Sequence, residues 1–484
     1  MNQAIDFHAI LPELILSGTI LLVLVADLFL EGERKALVMP LGFVGVVAAL
    51  IATLTLIGDH RTTFGGAFVI DSYAVIFKTF FLTAAAVVLA ISFRYFREGR
   101  YYQGEYYFLL LTAFLGCILM ASSRDLLMLF ISLELVSAPG FLLAAFRKGD
   151  PRSNEAGVKF FLIGVLSSAV MLYGMSIIYG VTGTTSLTGI AEKLGGNLGS
   201  THTLVLASIL LIVTGFAFKV SAVPFQFWAP DTYEGAPVPV AAFLSVASKA
   251  AGFAGLLQLM FVAFIHQAAF WTPLFAALSI ATMTFGNLLA IQQREIVRLL
   301  AYSSIAQAGY MLLPFALAGH GVDRQAASAT VLYILFYGVM NLGAFAVVIG
   351  AARERPGILI TDFAGMARAA PALAVAMTVF MVSLAGIPPT GGFWAKFFIF
   401  RVAIEAGGIG IWLAAIMVVN SVIGLFYYLA VARQMVVVEG EPVTRRSPVL
   451  VTAVVLIAAT AVFVLGVFPN LFANFFPLSA LAHP

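Results

Sequence analysis

Five lysines lie inside apolar segments long enough to cross a membrane, where an ammonium group is costly: Lys78, Lys159, Lys219, Lys249 and Lys396. Every arginine, by contrast, falls in a loop or near the end of an apolar segment. Arginine keeps its proton in proteins, whereas burial lowers the pKa of a lysine enough for it to be released. The pattern therefore indicates groups that take up and release protons, the alternatives being structural ion pairs or side chains that reach the membrane surface.

One acid lies deep in such a segment, Glu134 in "FISLELVSAPGFLL" (130–143). A charge at mid-membrane costs about 2.5–3.5 kcal/mol on insertion scales, and a lysine partner removes most of that penalty. We expect Lys219 or Lys159, on adjacent helices, to be this partner.

Other charged residues lie nearer the segment ends. Glu13, Asp27 and Asp71 are expected at the membrane interface. Lys78 is two turns into its helix, so a structural pair with Asp71 is expected there. For Lys159 an alternative to a role in proton transfer stays open, namely that it lies at the cytoplasmic interface.

Two apolar segments are interrupted by helix-breaking residues. "LLIVTGFAFKVSAVPFQFWAPD" (210–231) contains Pro224, and "VFMVSLAGIPPTGGFWAKFF" (379–398) contains Pro388 and Pro389. Proline frees backbone groups that lipid cannot satisfy but a polar, hydrated cavity can. Broken helices mark ion sites in transporters, and each break here lies near a lysine, although packing kinks are the alternative.

The composition predicts an all-α integral membrane protein. Hydrophobic residues make up 62% of the 484 residues, charged residues 10%, and mean hydropathy is +1.03. Runs of roughly 20 apolar residues, the length that spans a bilayer, lie near 10–30, 37–57, 71–93, 106–121, 125–146, 157–180, 204–228, 238–262, 271–291, 300–319, 327–350, 373–400, 409–433 and 449–470.

The same composition argues against several functions. A net charge of +3 disfavours nucleic acid as a partner, and the single Cys117 cannot hold an iron–sulfur cluster. No glycine-rich nucleotide motif follows a strand-like run. We therefore expect no cofactor on this chain, and electron transfer must occur elsewhere.

Positive charges in the loops predict the orientation. The odd-numbered loops carry 16 Lys and Arg and the even-numbered loops carry 5. Because positive loops stay cytoplasmic, we expect the odd loops inside and both termini outside.

The two broken helices are five helices apart, which predicts a repeat of five helices. The repeats would be 106–262 and 271–433, the second inverted because five is odd, with three helices in 1–105 before them and one helix in 434–484 after them.

The sequence resembles a known family at three stretches. "FWAPDTYEGAPVPVAAFLSVASKAAGF" (227–253), "RLLAYSSIAQAGYMLL" (298–313) and "AGIPPTGGFWAKF" (385–397) are similar to membrane-arm subunit N of respiratory complex I, the proton-pumping NADH:quinone oxidoreductase. The family also resembles subunits of multisubunit Na⁺/H⁺ antiporters. Lysine at 396 favours subunit N over subunit M.

The resemblance implies a proton channel built from two half-channels. Glu134 would be the acid of the fifth helix, Lys219 its partner, Lys249 the connecting lysine and Lys396 the terminal one, with Lys159 particular to this subunit. Ser221, Ser245, Ser248, Tyr302, Ser303, Ser304 and Gln307 are expected as polar links, and the aromatic residues as packing or lipid-facing groups.

The resemblance also implies a setting: the bacterial cytoplasmic membrane, with subunit M, small membrane subunits and lipid as neighbours. NADH, FMN, iron–sulfur clusters and quinone would be bound by other subunits. Two alternatives stay open, an antiporter subunit and a scaffold whose lysines no longer act.

If the embedded lysines must lose their protons, Lys249→Arg and Lys396→Arg should stop proton translocation by the assembled complex, because arginine stays charged. Proton uptake by sealed vesicles during NADH oxidation measures this, with Lys148→Arg in a loop as the control. Normal translocation in the Lys249 and Lys396 variants would contradict the deprotonation argument.

Overall fold

A computed structural model describes residues 5–98, 103–351, 358–440 and 447–468, and in these ranges nearly all regular structure is helical. Thirteen segments of the described chain are long and apolar enough to cross a membrane. The half-helices Pro371–Ala385 and Gly391–Ala406 add a fourteenth crossing. The chain is therefore an all-α, multi-pass membrane protein, as the sequence predicts.

The predicted spans agree with the observed membrane helices in order and position. The first seven are Leu11–Phe29, Val38–Leu54, Ser72–Glu98, Gln103–Ser122, Leu126–Ala144, Pro151–Thr182 and His202–Lys219. The others are Val238–Ala263, Ala268–Ala290, Ile296–Leu312, Asp323–Ala351, the broken twelfth Pro371–Ala385 with Gly391–Ala406, Ile409–Val436 and Val449–Val467.

Short elements join these helices. A small antiparallel hairpin pairs Arg61–Thr63 with Phe68–Ile70. Short helices of the loops include Gly32–Leu37, Leu187–Leu194, Trp228–Gly235, Leu313–Leu317, Ile360–Phe363 and Met366–Ala369. Parts of the orientation argument lie outside the described residues, namely both chain ends and Arg100, Arg353, Arg355, Arg445 and Arg446.

The eighth membrane helix, Val238–Ala263, is the centre of the fold. Its apolar span is completely buried by its neighbours, whereas the span of the last helix, Val449–Val467, is 28% buried. A helix that is apolar all round needs either lipid or protein on every side. Lys249 is thus on a helix surrounded by protein.

Two isolated β-bridges occupy matching places in the chain. Asp125, just before the fifth helix, bridges Ser186, and Glu295, just before the tenth helix, bridges Leu359. In each case a membrane helix begins at the next residue, and the bridge partner, Ser186 or Leu359, lies after the membrane helix that comes next. The two halves of the chain therefore share a backbone feature that side-chain identity does not dictate.

The helix breaks occur where the prolines predict them. The seventh helix ends at Lys219, and the helix Trp228–Gly235 begins after an eight-residue interruption. The Val223 backbone N–H donates to Thr282 Oγ1 at 3.0 Å, and Trp228 Nε1 donates to the Phe218 carbonyl at 3.1 Å. Side chains thus satisfy these two backbone groups.

The second break depends on close backbone contact. Gly392 donates its N–H to Ser383 Oγ at 3.0 Å, and a Cβ on Gly392 would lie 1.8 Å from the Ser383 carbonyl oxygen. That oxygen belongs to the backbone and cannot rotate away. The half-helix that carries Lys396 can approach its partner only with glycine here.

Gly392→Ala should therefore displace the half-helix Gly391–Ala406 and lower the free energy of unfolding by about 1–3 kcal/mol or more, as overpacking does. The thermal unfolding midpoint of the detergent-purified complex measures the loss. Gly180→Ala is the matched control, because nothing lies within 4 Å of its Cβ position. Equal midpoints for the two variants would refute the close-contact argument.

Candidate functional site

Glu134 and Lys219 lie near each other without forming a direct ion pair. Ser168 Oγ donates to Glu134 Oε1 at 2.5 Å, and Lys219 Nζ donates to Ser137 Oγ at 2.9 Å. Ser137 is one helical turn after Glu134. The expected contact between acid and lysine is therefore indirect in this state, through one turn of the fifth helix.

This arrangement corrects the prediction of a direct lysine partner for Glu134. Among the residues that the structure describes, no lysine or arginine nitrogen lies within 4.0 Å of its carboxylate. Glu134 is only partly buried, and the Ser168 hydroxyl takes the place of a cation. Lys219, by contrast, is 2% exposed.

Lys249 is held by a single partner residue. Its Nζ donates to the Ser304 carbonyl at 2.8 Å and to Ser304 Oγ at 2.9 Å, and the residue is 2% exposed. Both acceptors are neutral. The site therefore solvates an ammonium group with oxygen lone pairs, and no described residue places a counter-charge in hydrogen-bonding contact with it.

A group of hydrogen-bonded neutral side chains extends from Ser303, the neighbour of Ser304, toward the twelfth helix. Ser303, the adjacent residue, hydrogen-bonds the Tyr428 hydroxyl at 2.6 Å, and Gln307 Nε2 donates to that hydroxyl at 2.9 Å. Gln307 Nε2 also lies 3.1 Å from the Leu384 carbonyl, and Tyr333 donates to Gln307 Oε1 at 2.5 Å. Hydroxyls and amides that both donate and accept can orient a proton route.

Lys396 lies at the far end of this group. Its Nζ donates to the Ala385 carbonyl at 2.8 Å and lies 4.8 Å from the centre of the Tyr310 ring. Ala385 is the last residue of the half-helix and follows Leu384. Gly386, with φ +90°, both ends this half-helix and makes room, since its Cβ position is 2.8 Å from Lys396 Cδ.

The remaining predicted links behave differently. Ser245 accepts a hydrogen bond from Asn341 at 2.9 Å, and Tyr302 lies beneath the Arg298 guanidinium at 6.0 Å. Ser221 Oγ is buried without a hydrogen-bond partner among the described residues. Only Ser303, Ser304 and Gln307 of the predicted set belong to the route between the lysines.

Lys159 lies away from this route, in a charged cluster. Its Nζ contacts Glu155 at 2.7 Å and Asp231 at 2.8 Å, and its side chain is 42% exposed. Arg298 contacts Asp231 at 2.9 Å and Glu234 at 2.5 Å. Burial opposes ionisation of Asp231, but the hydrogen bond from Lys159 and the charge of Arg298 outweigh it and lower the pKa of that carboxyl.

This cluster joins the first turns of the sixth and tenth membrane helices to the short helix Trp228–Gly235 and lines an open cavity of about 250 Å³. Glu295 is close by, and partial burial together with the Glu234 carboxylate raises its pKa. Lys159 thus lies about two turns into its helix, in a charged cluster apart from Lys219, Lys249 and Lys396.

Lys78 pairs with Glu13, not with Asp71. The Lys78 Nζ to Glu13 Oε1 distance is 2.7 Å, and the two side chains are 0% and 8% exposed. Asp71 pairs with Arg124 instead, at 2.6 Å. Glu13 and Asp71 are thus buried ion-pair partners near the starts of the first and third membrane helices.

Tyr428, Tyr333 and Ser168 are parts of the site that the sequence interpretation missed. The tyrosines stand in apolar runs and were expected to pack or to face lipid. Their hydroxyls carry hydrogen bonds at the centre of the site, and both residues are almost fully buried. A buried tyrosine usually satisfies its hydroxyl, so tyrosine rather than phenylalanine in these helices was the available signal.

Comparison with known proteins places these features in a family. A family described as "NADH:quinone oxidoreductase/Mrp antiporter, TM" matches residues 123–424. The NADH-quinone oxidoreductase subunit N of Trichlorobacter lovleyi is 41% identical over 98% of this chain and 96% of its own length. A chain of respiratory complex I from Thermus thermophilus superposes with a TM-score of 0.80 at 30% identity, covering 96% of this chain and 98% of that one. A chain of the Mrp complex from Dietzia has a TM-score of 0.85 at 21% identity, covering 99% and 97%, which shows a shared fold.

The buried Lys78–Glu13 pair gives a stability prediction. Lys78→Met should cost about 3–5 kcal/mol, because it leaves a buried carboxylate without its cation. The double variant Glu13→Gln with Lys78→Met should recover most of this loss. Thermal unfolding of the purified complex measures both.

The exposed pair Arg401–Glu405, with side chains 63% and 37% exposed, is the control. Arg401→Met should change stability by less than about 1 kcal/mol. A single Lys78→Met variant as stable as Arg401→Met would show that the buried pair carries no such energy.

Proposed function

This chain belongs to the subunit N family of NADH:quinone oxidoreductase, and from this premise we infer that its buried lysines carry protons through the membrane. The chain is a membrane-arm subunit of a proton-translocating enzyme whose electron transfer takes place in other subunits. Its own task is the movement of protons. The residues proposed for it are Glu134, Lys219, Lys249 and Lys396.

One observation carries the proposal: neutral polar side chains line the space between Lys249 and Lys396. Lys249 donates to Ser304. The next residue, Ser303, is hydrogen-bonded to Tyr428, which accepts from Gln307, and Gln307 donates to the Leu384 carbonyl, one residue before Ala385, which accepts from Lys396. A structural lysine needs a counter-charge, whereas a transfer station needs acceptors that leave both protonation states accessible. The contacts of Lys249 and Lys396 are of the second kind.

Glu134 is proposed as the group that controls the first lysine. Its carboxylate lies about one turn from the Ser137 hydroxyl that Lys219 contacts. A shift of either side chain that brings the charges together favours the protonated lysine, and separation favours release toward Lys249. The energy required is modest, since moving one charge against 100 mV costs about 2.3 kcal/mol.

The repeat organisation fits this direction of transfer. We propose 106–262 and 271–433 as inverted repeats, preceded by the helices of 1–105 and followed by 434–484. The paired β-bridges at Asp125 and Glu295 support this division. Lys219 lies beside the break of the first repeat and Lys396 beside that of the second, so protons would pass from one repeat to the other.

The role of Lys159 is the least direct of the proposed set. It holds Asp231 and Glu155 at a helix end beside an open cavity. We propose that it contributes to proton uptake at this face, which the distribution of positive loops assigns to the cytoplasm. Both termini then lie on the outer side of a bacterial cytoplasmic membrane.

Partners and cofactors follow from the family. The neighbours are other membrane subunits of the complex, and we propose an antiporter-like subunit M and small membrane subunits among them. NADH, FMN, iron–sulfur clusters and quinone are assigned to other subunits. Na⁺/H⁺ antiport is the alternative. The Mrp chain shares the fold at 21% sequence identity, whereas the relatives named subunit N share about 40% sequence identity over nearly the full chain. Flavin and iron–sulfur clusters in the purified complex distinguish the two.

Glu134→Gln and Lys396→Ala should reduce proton translocation by the assembled complex at least about ten-fold, the scale expected for loss of a positioned acid or base. Acidification of inside-out vesicles during NADH oxidation measures it, with flavin and iron–sulfur content as a check on assembly. Glu405→Gln and Lys148→Ala, both exposed, are matched controls. If both site variants assemble and pump normally, the chain is a scaffold and the proposal is wrong.

A further inference from the structure

We propose that Ser304 is a positioning residue for Lys249, and that a neutral hydroxyl must occupy the place that the Glu134 carboxylate has in the other repeat. The inference rests on the proposed function and adds a requirement to it. Proton transfer through Lys249 would depend on the absence of an acid at 304.

The first step is the register between the two repeats, which backbone hydrogen bonds fix. Leu126 N–H donates to the Thr185 carbonyl at 2.8 Å, and Leu187 N–H donates to the Arg124 carbonyl at 3.0 Å. The second half repeats this pattern.

There, Ile296 N–H donates to the Ile358 carbonyl at 3.0 Å, and Ile360 N–H donates to the Arg294 carbonyl at 2.8 Å. Leu126 and Ile296 are the first residues of their helices. The fifth and tenth helices therefore align from Leu126 and Ile296 onward without a gap.

In this register, Glu134 matches Ser304, each being the residue 8 positions after its helix start (134 − 126 and 304 − 296). Ser137 likewise matches Gln307.

The contacts of Ser137 and Gln307 check the register independently. Ser137 contacts Lys219, the last residue before the first helix break. Gln307 contacts the carbonyl of Leu384, one residue before the end of the half-helix that precedes the second break. Equivalent helix positions thus meet equivalent helix ends, so the match of Glu134 with Ser304 holds in space as well as in sequence.

The two matched positions differ in charge and in partner. The carboxylate of Glu134 accepts from a neutral hydroxyl, Ser168. At the matched place, Ser304 is neutral and its partner is the ammonium group of Lys249. The contact of Glu134 thus lies within the first repeat, whereas Ser304 of the second repeat contacts Lys249 of the first.

The chemistry of a hydroxyl explains why serine suits position 304. The Ser304 hydroxyl accepts from protonated Lys249 while it donates to the Ala301 carbonyl at 2.8 Å. When the lysine is neutral, the hydroxyl can turn from that carbonyl and donate to the amine, so serine contacts Lys249 in both states. A carboxylate at 304 would reach the same Nζ and favour its charged form. Lys249 would then retain its proton and interrupt the route to Lys396.

Two variants of Ser304, to Asp and to Asn, separate the effect of charge from that of size, because the two new side chains are isosteric with each other. In the assembled complex in sealed vesicles, Ser304→Asp should lower the protons moved per NADH oxidised by at least about ten-fold, while Ser304→Asn should keep at least about half. Equal values for the two variants, whether high or low, would overturn the proposal, because a purely structural role depends on size and not on charge.

A second pair of variants tests the hydroxyl and does not require an acid to be tolerated in the membrane. Ser304→Ala should lower the ratio several-fold, and Ser304→Thr, which restores the hydroxyl, should return it close to the starting value. Ser304→Ala that pumps normally overturns the proposal, even where Ser304→Asp fails to assemble.

Lys249→Ala separates this inference from the function on which it rests. Normal pumping by Lys249→Ala removes the proposed function and this inference together. A loss of pumping in Lys249→Ala combined with normal pumping in Ser304→Asp removes only the requirement for a neutral residue at 304.

Discussion

The structure depends on how an ammonium group is kept in a protein interior without a fixed counter-charge. Lys219 donates to a hydroxyl, Lys249 donates to a hydroxyl and a carbonyl, and Lys396 donates to a carbonyl. Neutral oxygens lower the cost of burial but do not bind the proton as firmly as a carboxylate does. The fifth and tenth helices provide Ser137 and Ser304, and the second helix break exposes the Ala385 carbonyl.

Two other basic residues, Lys78 and Arg124, form direct ion pairs instead of contacts with neutral oxygens. Lys78 with Glu13 joins the third helix to the first, and Asp71 with Arg124 joins the start of the third helix to the loop between the fourth and fifth; both pairs are direct. Breaking such a pair is costly, so it suits a permanent contact. The protein therefore uses direct pairs where charge must stay and neutral acceptors where charge must change.

Much of the fold could be predicted because hydropathy, segment length and proline position determine it. The order of fourteen crossings and both breaks follow from those features. Contacts between distant residues could not be predicted. Lys78 pairs with Glu13, which is 65 positions away, and not with nearby Asp71. Glu134 accepts a hydrogen bond from Ser168 and does not pair with a lysine. These choices depend on how helices rotate against each other, which apolar sequence does not encode. Tyr428 was missed since an aromatic ring in an apolar run has the same pattern whether or not its hydroxyl is used.

The β-bridges before the fifth and tenth helices have a consequence for how this fold can vary. They are formed by main-chain atoms, so substitution of side chains does not remove them. Each bridge fixes the start of its helix, so the helix register is kept when side chains are substituted. Two repeats of common origin could therefore come to differ at one matched position, with a carboxyl side chain in one and a hydroxyl in the other. Such specialisation would need no shift of a helix along its axis.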